Sequence, residues 1–167
     1  MRIYRVTFTG HRIIPNARHV EEGLDRLIEG LMREKEYVEF YVGRHGDFDI
    51  YAASAVKRAQ ARFDNHNSTL ILVQPYKTKD DVYYENFYDE LCYPIKAHPK
   101  AAITKRNQWL VDNVDLLIAY VENGRKGGSY TMLKYAEKQE IEIINIATEC
   151  TPHAPKNDDS CLNLPIP

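Results

Sequence analysis

Residues 3–12 read Ile-Tyr-Arg-Val-Thr-Phe-Thr-Gly-His-Arg, a β-rich run that leads straight into a glycine turn. Two later stretches have the same form, since Val38–Val42 leads into Gly43–Asp49 and Leu116–Val121 leads into Gly124–Thr131. A helix is predicted after each of the three loops. Because the carboxyl ends of parallel strands meet at one edge of a sheet, the loops are expected to gather where doubly wound sheets bind nucleotides. Unpaired N–H groups at helix starts favour an anionic phosphate there.

The rest of the chain continues the alternation of strands and helices. Apolar side chains recur at helical spacing in Ala17–Glu34, and Ser68–Val73 is an unbroken apolar run typical of a parallel strand buried on both faces. Further elements are predicted as helices at Ile50–Phe63, Ile103–Asn113 and Ser129–Lys138, and as a last strand at Ile141–Ile146. The pattern predicts an α/β fold, a Rossmann-like three-layer sandwich with about five parallel strands in the order 3-2-1-4-5 and helices on both faces.

One segment interrupts this alternation. Residues 75–102 contain five tyrosines and three prolines, and we expect a loop, a short helix and another loop there. A tyrosine of this insertion could stack on a nucleotide base, or the rings could pack as core or lid. We predict a single Rossmann-like domain over residues 1–147, followed by an irregular tail over residues 148–167, in which four prolines occur without periodicity.

The composition of the chain argues against several classes of function. The chain has 167 residues, a net charge of -2 and a pI of about 6.3, which argues against a general nucleic-acid binder. It has no apolar run near the roughly 20 residues that cross a bilayer and no signal-peptide pattern, so a cytoplasmic location is expected. Neither the three cysteines nor the six histidines have the spacing of a metal site, so no metal is predicted.

The loop before the helix at Ser129–Lys138 is the strongest candidate for phosphate binding. Gly127 and Gly128 would let a phosphate or ribose approach the backbone, and the hydroxyls of Ser129 and Thr131 would add donors. The alternative is a tight turn closed by a hydroxyl cap. The glycine spacing is neither that of a Walker A loop nor that of the dinucleotide-binding fingerprint.

The turn after the first strand combines four different groups. Thr9, Gly10, His11 and Arg12 supply a hydroxyl, a flexible backbone, a titratable ring and a cation. Arg12 could grip a phosphate through two parallel hydrogen bonds, and His11 could bond a ligand or cap the loop. The alternative is an ordinary surface turn.

Five more candidates come from the second loop and from the helix before the fourth predicted strand: Gly43, Arg44, Asp49, Arg106 and Asn107. Asp49 could bind ribose hydroxyls or act as a base toward water, which makes it the candidate catalytic residue. It could also be the N-cap of the following helix. Arg106 is expected near the crevice, and the alternative is a solvated charge.

Together these motifs resemble the SLOG superfamily, the Rossmann-like group that includes DNA-processing protein A and the LOG-type phosphoribohydrolases. The similarity is greatest to the YpsA-like branch and covers about residues 3–147. The matching motifs, in chain order, are Thr9–Arg12, Gly43–Ala53, Arg106–Trp109 with Asp112-Asn113, and Gly127–Thr131.

The resemblance implies binding or sensing of a nucleotide or nucleotide-derived ligand, such as ADP-ribose, NAD or a nucleoside monophosphate, in the crevice at the strand ends. An alternative is an N-glycosidic hydrolase that acts on nucleoside monophosphates. Residues 131–134 lack the acidic pair of the phosphoribohydrolases, so the resemblance supports binding better than hydrolysis. The expected partner is a small nucleotide-like molecule rather than a membrane or nucleic acid, although single-strand DNA binding is a third hypothesis. No resident cofactor is assigned, and the exposed aromatic residues of the insertion are also compatible with a homo-oligomer.

Overall fold

The computed structural model describes residues 1–63 and 66–149. Strands and helices alternate through most of this part of the chain. In chain order they are β1 (Ile3–Gly10), α1 (Ala17–Glu34), β2 (Tyr37–Val42), α2 (Asp47–Arg62), β3 (Ser68–Val73), α3 (Asp81–Tyr84), β4 (Glu90–Cys92), α4 (Pro99–Asp112), β5 (Leu116–Tyr120), α5 (Gly128–Lys138), β6 (Glu142–Asn145) and α6 (Ile146–Glu149). The irregular tail is predicted to begin at residue 148, but residues 148 and 149 belong to α6, and the rest of the tail, from residue 150 onward, lies outside the described residues.

All strand pairs of the sheet are parallel, and the strand order is β4-β3-β2-β1-β5-β6. The five predicted strands have the predicted order, which confirms the Rossmann-like three-layer fold. The sheet has six strands rather than five, because the insertion adds β4 beside β3. Strand β1 therefore lies between β2 and β5, and the loops that follow these three strands are neighbours.

The core has two layers, one on each face of the sheet. Helices α1 and α2 pack on one face, and α4 and α5 pack on the other. Successive residues of β5 alternate between the layers: Leu116 and Ile118 join the first, and Leu117 and Ala119 join the second. Both faces of the strand are buried, which explains its unbroken apolar sequence.

The insertion is more ordered than the predicted loop, short helix and loop. Asp81, at the start of α3, accepts hydrogen bonds from Tyr93 Oη at 2.6 Å, from Thr78 Oγ1 at 2.8 Å and from Gln74 Nε2 at 2.8 Å. Although burial opposes them, these bonds lower the pKa of Asp81 to about 2. A buried carboxylate therefore joins several parts of this segment, and Tyr84, Tyr88 and Leu91 of the same segment pack on the core.

The start of α4 differs from the sequence prediction because of the residues that cap this helix. Helix α4 begins at Pro99 rather than at Ile103, because proline suits the first helical position and the His98 side chain accepts from Lys100 N at 3.3 Å. Within the described residues no helix is long and apolar enough to cross a membrane. The cytoplasmic location stays a prediction.

Candidate anion-binding cleft

The loops after β1, β2 and β5 line a single cleft of about 390 Å³ at the carboxyl edge of the sheet. Helices α4 and α5 close its sides. Eleven of the thirteen predicted site residues line it: Thr9, Gly10, His11, Arg12, Gly43, Asp49, Arg106, Asn107, Gly127, Gly128 and Ser129. The strand order therefore brings together residues that are more than 100 positions apart in the sequence.

Backbone contacts lock the turn after β1 to the start of α2. Asp47 N donates to Arg12 O at 2.9 Å, and Ile14 N donates to the Asp47 carboxylate at 3.1 Å. Phe48 packs so closely against Gly10 that a side chain there would overlap its ring. These contacts fix the backbone of Arg12 at the cleft, while its side chain is exposed.

His11 ties the turn after β1 to the loop after β5. The ring is 6 % exposed, and its Nε2 accepts from Glu122 N at 3.0 Å. Burial lowers the pKa of His11, Arg125 lowers it further, and Glu122 partly opposes them. A ring nitrogen that accepts from a backbone amide is unprotonated, so the neutral ring carries its proton on Nδ1. This arrangement matches the loop-capping alternative for His11 and leaves Nε2 unable to act as an acid.

Gly43 allows Asp49 and Arg106 to approach the same point of the backbone. A Cβ atom at Gly43 would lie 2.7 Å from Arg106 Nη1 and 2.9 Å from Asp49 Oδ2. Asp49 lies in the first turn of α2, but it is not the N-cap: Gly46 holds that position, and Asp49 Oδ2 accepts from His45 N at 2.9 Å. The capping alternative for Asp49 is therefore wrong in its detail, although the carboxylate does bond the backbone that leads into the helix.

Burial dominates the electrostatics of these two residues. It raises the pKa of Asp49, and the hydrogen bond from His45 and the charge of Arg106 oppose this rise. Burial likewise lowers the pKa of Arg106, which is 5 % exposed, and Asp49 opposes that change. Each charge thus depends on the other for its compensation in a poorly solvated place.

Arg106 also orients Asn107. Its Nε and Nη2 donate to Asn107 Oδ1 at 3.1 and 2.8 Å, and its Nη1 donates to Val73 O at 3.2 Å. The guanidinium requires an oxygen opposite it, so the Asn107 amide nitrogen is directed elsewhere. Both residues line the cleft, which gives this wall N–H groups beside a single carboxylate.

The first turn of α5 is the most open part of the cleft. Gly127, the N-cap, has a φ of 155°, which side-chain-bearing residues rarely adopt, and a Cβ atom at Gly127 or Gly128 would have no neighbour within 4 Å. The first backbone N–H groups of a helix have no intrahelical partner, and no side chain caps those of α5. Gly128 and Ser129 line the cleft at this point.

Two predicted site residues do not enter the cleft. The Arg44 guanidinium lies over the Tyr84 ring at 4.5 Å and donates to Tyr88 Oη at 3.5 Å, so it braces the insertion instead. Thr131 Oγ1 donates to Gly127 O at 3.0 Å, one turn back along the helix. Residues 75–102 are all described, and none of them lines the cleft. Tyr88 is buried, which matches the packing alternative for this ring, whereas Tyr76 and Tyr83 are exposed.

Two groups of lining residues are not predicted from the sequence. The first is the pair Arg125 and Lys126, together with His45. The second is an apolar set that comprises Phe8, Ile103, Leu110 and Met132. Among the lining residues, Arg12, Arg106, Arg125 and Lys126 are cations and Asp49 is the one carboxylate. Within the described ranges, no three His, Cys, Asp or Glu side chains come together in a way that could hold a metal ion.

No protein-family model matches the sequence, and no curated protein matches it. Solved structures do resemble it. DNA processing protein A from Streptococcus pneumoniae has a TM-score of 0.61 at 14% identity, with 84% of this chain and 49% of that one covered, so this chain spans about half its length. Two structures of the molybdenum cofactor carrier protein from Chlamydomonas reinhardtii have TM-scores of 0.50 and 0.52, each at 14% identity, with 85% of this chain and 75% and 74% of theirs covered. At this identity the likeness shows the fold, which is the Rossmann-like fold that the SLOG resemblance implied; the YpsA-like branch stays a prediction.

Proposed function

We propose that the chain binds or senses a nucleotide or nucleotide-derived ligand in this cleft, with a phosphate at the start of α5. The observation that carries the proposal is the joint presence of an uncapped helix start at Gly127–Gly128 and of four cationic side chains on the same cleft. Backbone N–H groups at a helix start and nearby guanidinium groups both favour a phosphate.

The distribution of donors and acceptors supports a ligand with two chemically different ends. Among the described residues that line the cleft, Asp49 is the one carboxylate, and one of its oxygens already accepts from His45 N. Its other oxygen can accept from a ribose hydroxyl, while Arg12, Lys126 and the first turn of α5 offer donors to an anion. A phosphate joined to a sugar has this pattern of charges.

The size of the cleft and the structural neighbours support a small molecule. A volume of about 390 Å³ falls within the range of small-molecule sites, about 300–1,000 Å³. One neighbour is, by its name, a carrier of the molybdenum cofactor, which is itself a small molecule. The other is a DNA processing protein, but the net charge of -2 of this chain argues against a similar polyanionic partner.

The test is thermal unfolding in the presence of ADP-ribose, NAD and nucleoside monophosphates. Ligand at about 100 times its dissociation constant should stabilise the fold by about 2.7 kcal/mol. Gly128→Asp would place a carboxylate at the start of α5 and should abolish the shift. Gly30→Asp is the matched control, because a Cβ atom at Gly30 in α1 also has no neighbour within 4 Å. The absence of a shift with every compound would contradict the proposal.

N-glycosidic hydrolysis is a second proposal, favoured by one observation. Burial raises the pKa of Asp49, the carboxyl that would face the sugar, and catalytic carboxyls often have raised pKa values. Release of free base from a nucleoside monophosphate, with loss of that release in Asp49→Asn, would support it. Substrate that stays intact through long incubation with the wild-type protein would contradict hydrolysis, and ligand binding would be the one proposal left.

A further inference from the structure

An ion pair at the rim of the cleft involves one of its four cations. Arg125 Nη1 donates to Glu122 Oε2 at 3.2 Å, and Arg125 N donates to Glu122 O at the same distance, which closes a turn after β5. Arg125 lines the cleft, and Glu122 does not. The carboxylate therefore neutralises, from outside the cleft, a guanidinium that could otherwise contact a bound anion.

The two partners of this ion pair are held very differently. Glu122 N donates to the buried His11 ring at 3.0 Å, and a Glu122 carboxylate oxygen accepts from Tyr120 Oη at 3.4 Å. Arg125 has, within the described residues, no side-chain hydrogen bond other than the one to Glu122. Glu122 is thus anchored to β1 and β5, whereas Arg125 can change partner by rotating its side chain.

We infer that Glu122 is an affinity-determining residue, which competes with the phosphate of the ligand for Arg125 and so weakens anion binding in this cleft. The inference rests on the proposed function. Both side chains are nearly half exposed, and an exposed ion pair of this kind is weak, so a doubly charged phosphate can replace the carboxylate. Glu122 then sets how much negative charge a ligand must carry to bind.

The inference predicts the effect of removing the competing charge. Glu122→Gln keeps the backbone N–H that His11 requires and loses only the charge. It should tighten the binding of inorganic phosphate by about fivefold, the upper range for an exposed ion pair. When Arg125 is already replaced by Gln, Glu122→Gln should raise the affinity for phosphate no more than the removal of a negative charge far from the cleft does.

A matched control is available on α5. Glu137 pairs with Lys134 at 2.7 Å, also three residues apart, and it is 46 % exposed against 42 % for Glu122. Glu137→Gln makes the same change in net charge away from the cleft lining. Its effect on phosphate affinity measures what the loss of one negative charge from the protein does by itself. This change in affinity is expected to be within about twofold at physiological salt.

The experiment is a titration of the isotope-labelled protein with inorganic phosphate, followed by the NMR amide signals of Gly128 and Ser129. Tighter binding in Glu122→Gln, absent from Glu137→Gln and from the Arg125→Gln background, supports the inference. Unchanged affinity in Glu122→Gln, or an equal gain without Arg125, overturns the inference and leaves the proposed function standing. Amide signals that do not respond in the wild type or in Glu122→Gln would contradict the proposed function as well.

Discussion

The two sides of the cleft are built in opposite ways. One side, the packed wall of Gly43, Asp49, Arg106 and Asn107, has little space at Gly43, and most of its polar groups already make hydrogen bonds within the protein. The other side, the open rim of Arg12 and Arg125–Ser129, is largely exposed, and its first helical turn has no side-chain cap. The difference indicates that the packed wall fixes the shape of the cleft, whereas the open rim offers polar groups that can contact a ligand. Substitutions on the two sides should therefore affect different properties.

The largest expected difference is between the arginines of the two sides. Arg106→Met would remove a buried guanidinium with its hydrogen bonds to Asn107 Oδ1 and Val73 O and its charge near Asp49, which should lower the free energy of unfolding by about 3 kcal/mol. Arg125→Met removes an exposed ion pair and should cost less than about 1 kcal/mol. Urea denaturation of both variants measures the difference. Equal losses would show that the two sides do not differ in the way described.

Glycines provide the next comparison, because the same added methyl group meets different surroundings. Gly43→Ala would place Cβ 2.7 Å from Arg106 Nη1 and should destabilise the fold by about 1–3 kcal/mol while it separates Arg106 from Asp49. Gly128→Ala meets no atom within 4 Å and should change the stability by less than about 0.5 kcal/mol. Thermal unfolding of the pair is the measurement. A harmless Gly43→Ala would contradict the tight packing.

The pH dependence of stability distinguishes the Asp49 carboxyl of the cleft from the Asp81 carboxyl of the insertion. Since burial raises the folded-state pKa of Asp49, the folded protein binds more protons there than the unfolded chain, and the stabilisation by Asp49 falls as the pH rises from 3.8 through the raised value. Asp81, with a pKa of about 2, has the opposite sign: its contribution is present above 3.8 and is lost as the pH falls toward 2.

Two variants separate these effects. In urea denaturation at a series of pH values, the stability of the wild type relative to Asp49→Asn should decrease as the pH rises above 3.8. Its stability relative to Asp81→Asn should instead increase between about pH 2 and 3.8. A flat difference for Asp49→Asn across the whole series would show that burial does not dominate at the packed wall.

The smallest effect on stability is expected at Arg12, although its effect on binding should be clear. The Arg12 side chain is exposed, and within the described residues it has no hydrogen bond or ion pair, so Arg12→Gln should change the stability by less than about 0.5 kcal/mol. It should weaken phosphate binding about tenfold, as the loss of a hydrogen bond to a charged group does. Arg18→Gln, on the exposed face of α1, is the control, and equal affinity in the two variants would remove Arg12 from the site.

The sequence predicts most of the sheet because five strands are β-rich runs, and three of them, β1, β2 and β5, lead into a glycine loop and a helix. It does not predict β4, which has three residues and no apolar pattern. Asp89, directly before that strand, joins it to β3 and α2, because its carboxylate accepts from Leu70 N at 2.7 Å and contacts Lys57. Such a polar contact between distant segments leaves no periodic signal in the sequence.

Site residues could be predicted from the sequence where their position after a strand is enough to bring them to the cleft. Gly43 and Asp49 follow a strand end, so the parallel sheet brings them to the cleft. Arg44 is adjacent in sequence, but its side chain is directed by Tyr84 of the insertion, which tertiary packing places there. The bond of Thr131 to a backbone oxygen four residues earlier is a local pattern that the sequence could have suggested.

The most direct test of the shared cleft is a crystal structure with the nucleotide-like compound that raises the melting temperature most. Phosphate oxygens are expected at about 2.7–3.2 Å from the amides of Gly128 and Ser129, with Arg12 on the same phosphate and Asp49 facing the sugar. A ligand bound at the insertion, or one whose phosphate contacts none of the three loops, would contradict the shared cleft.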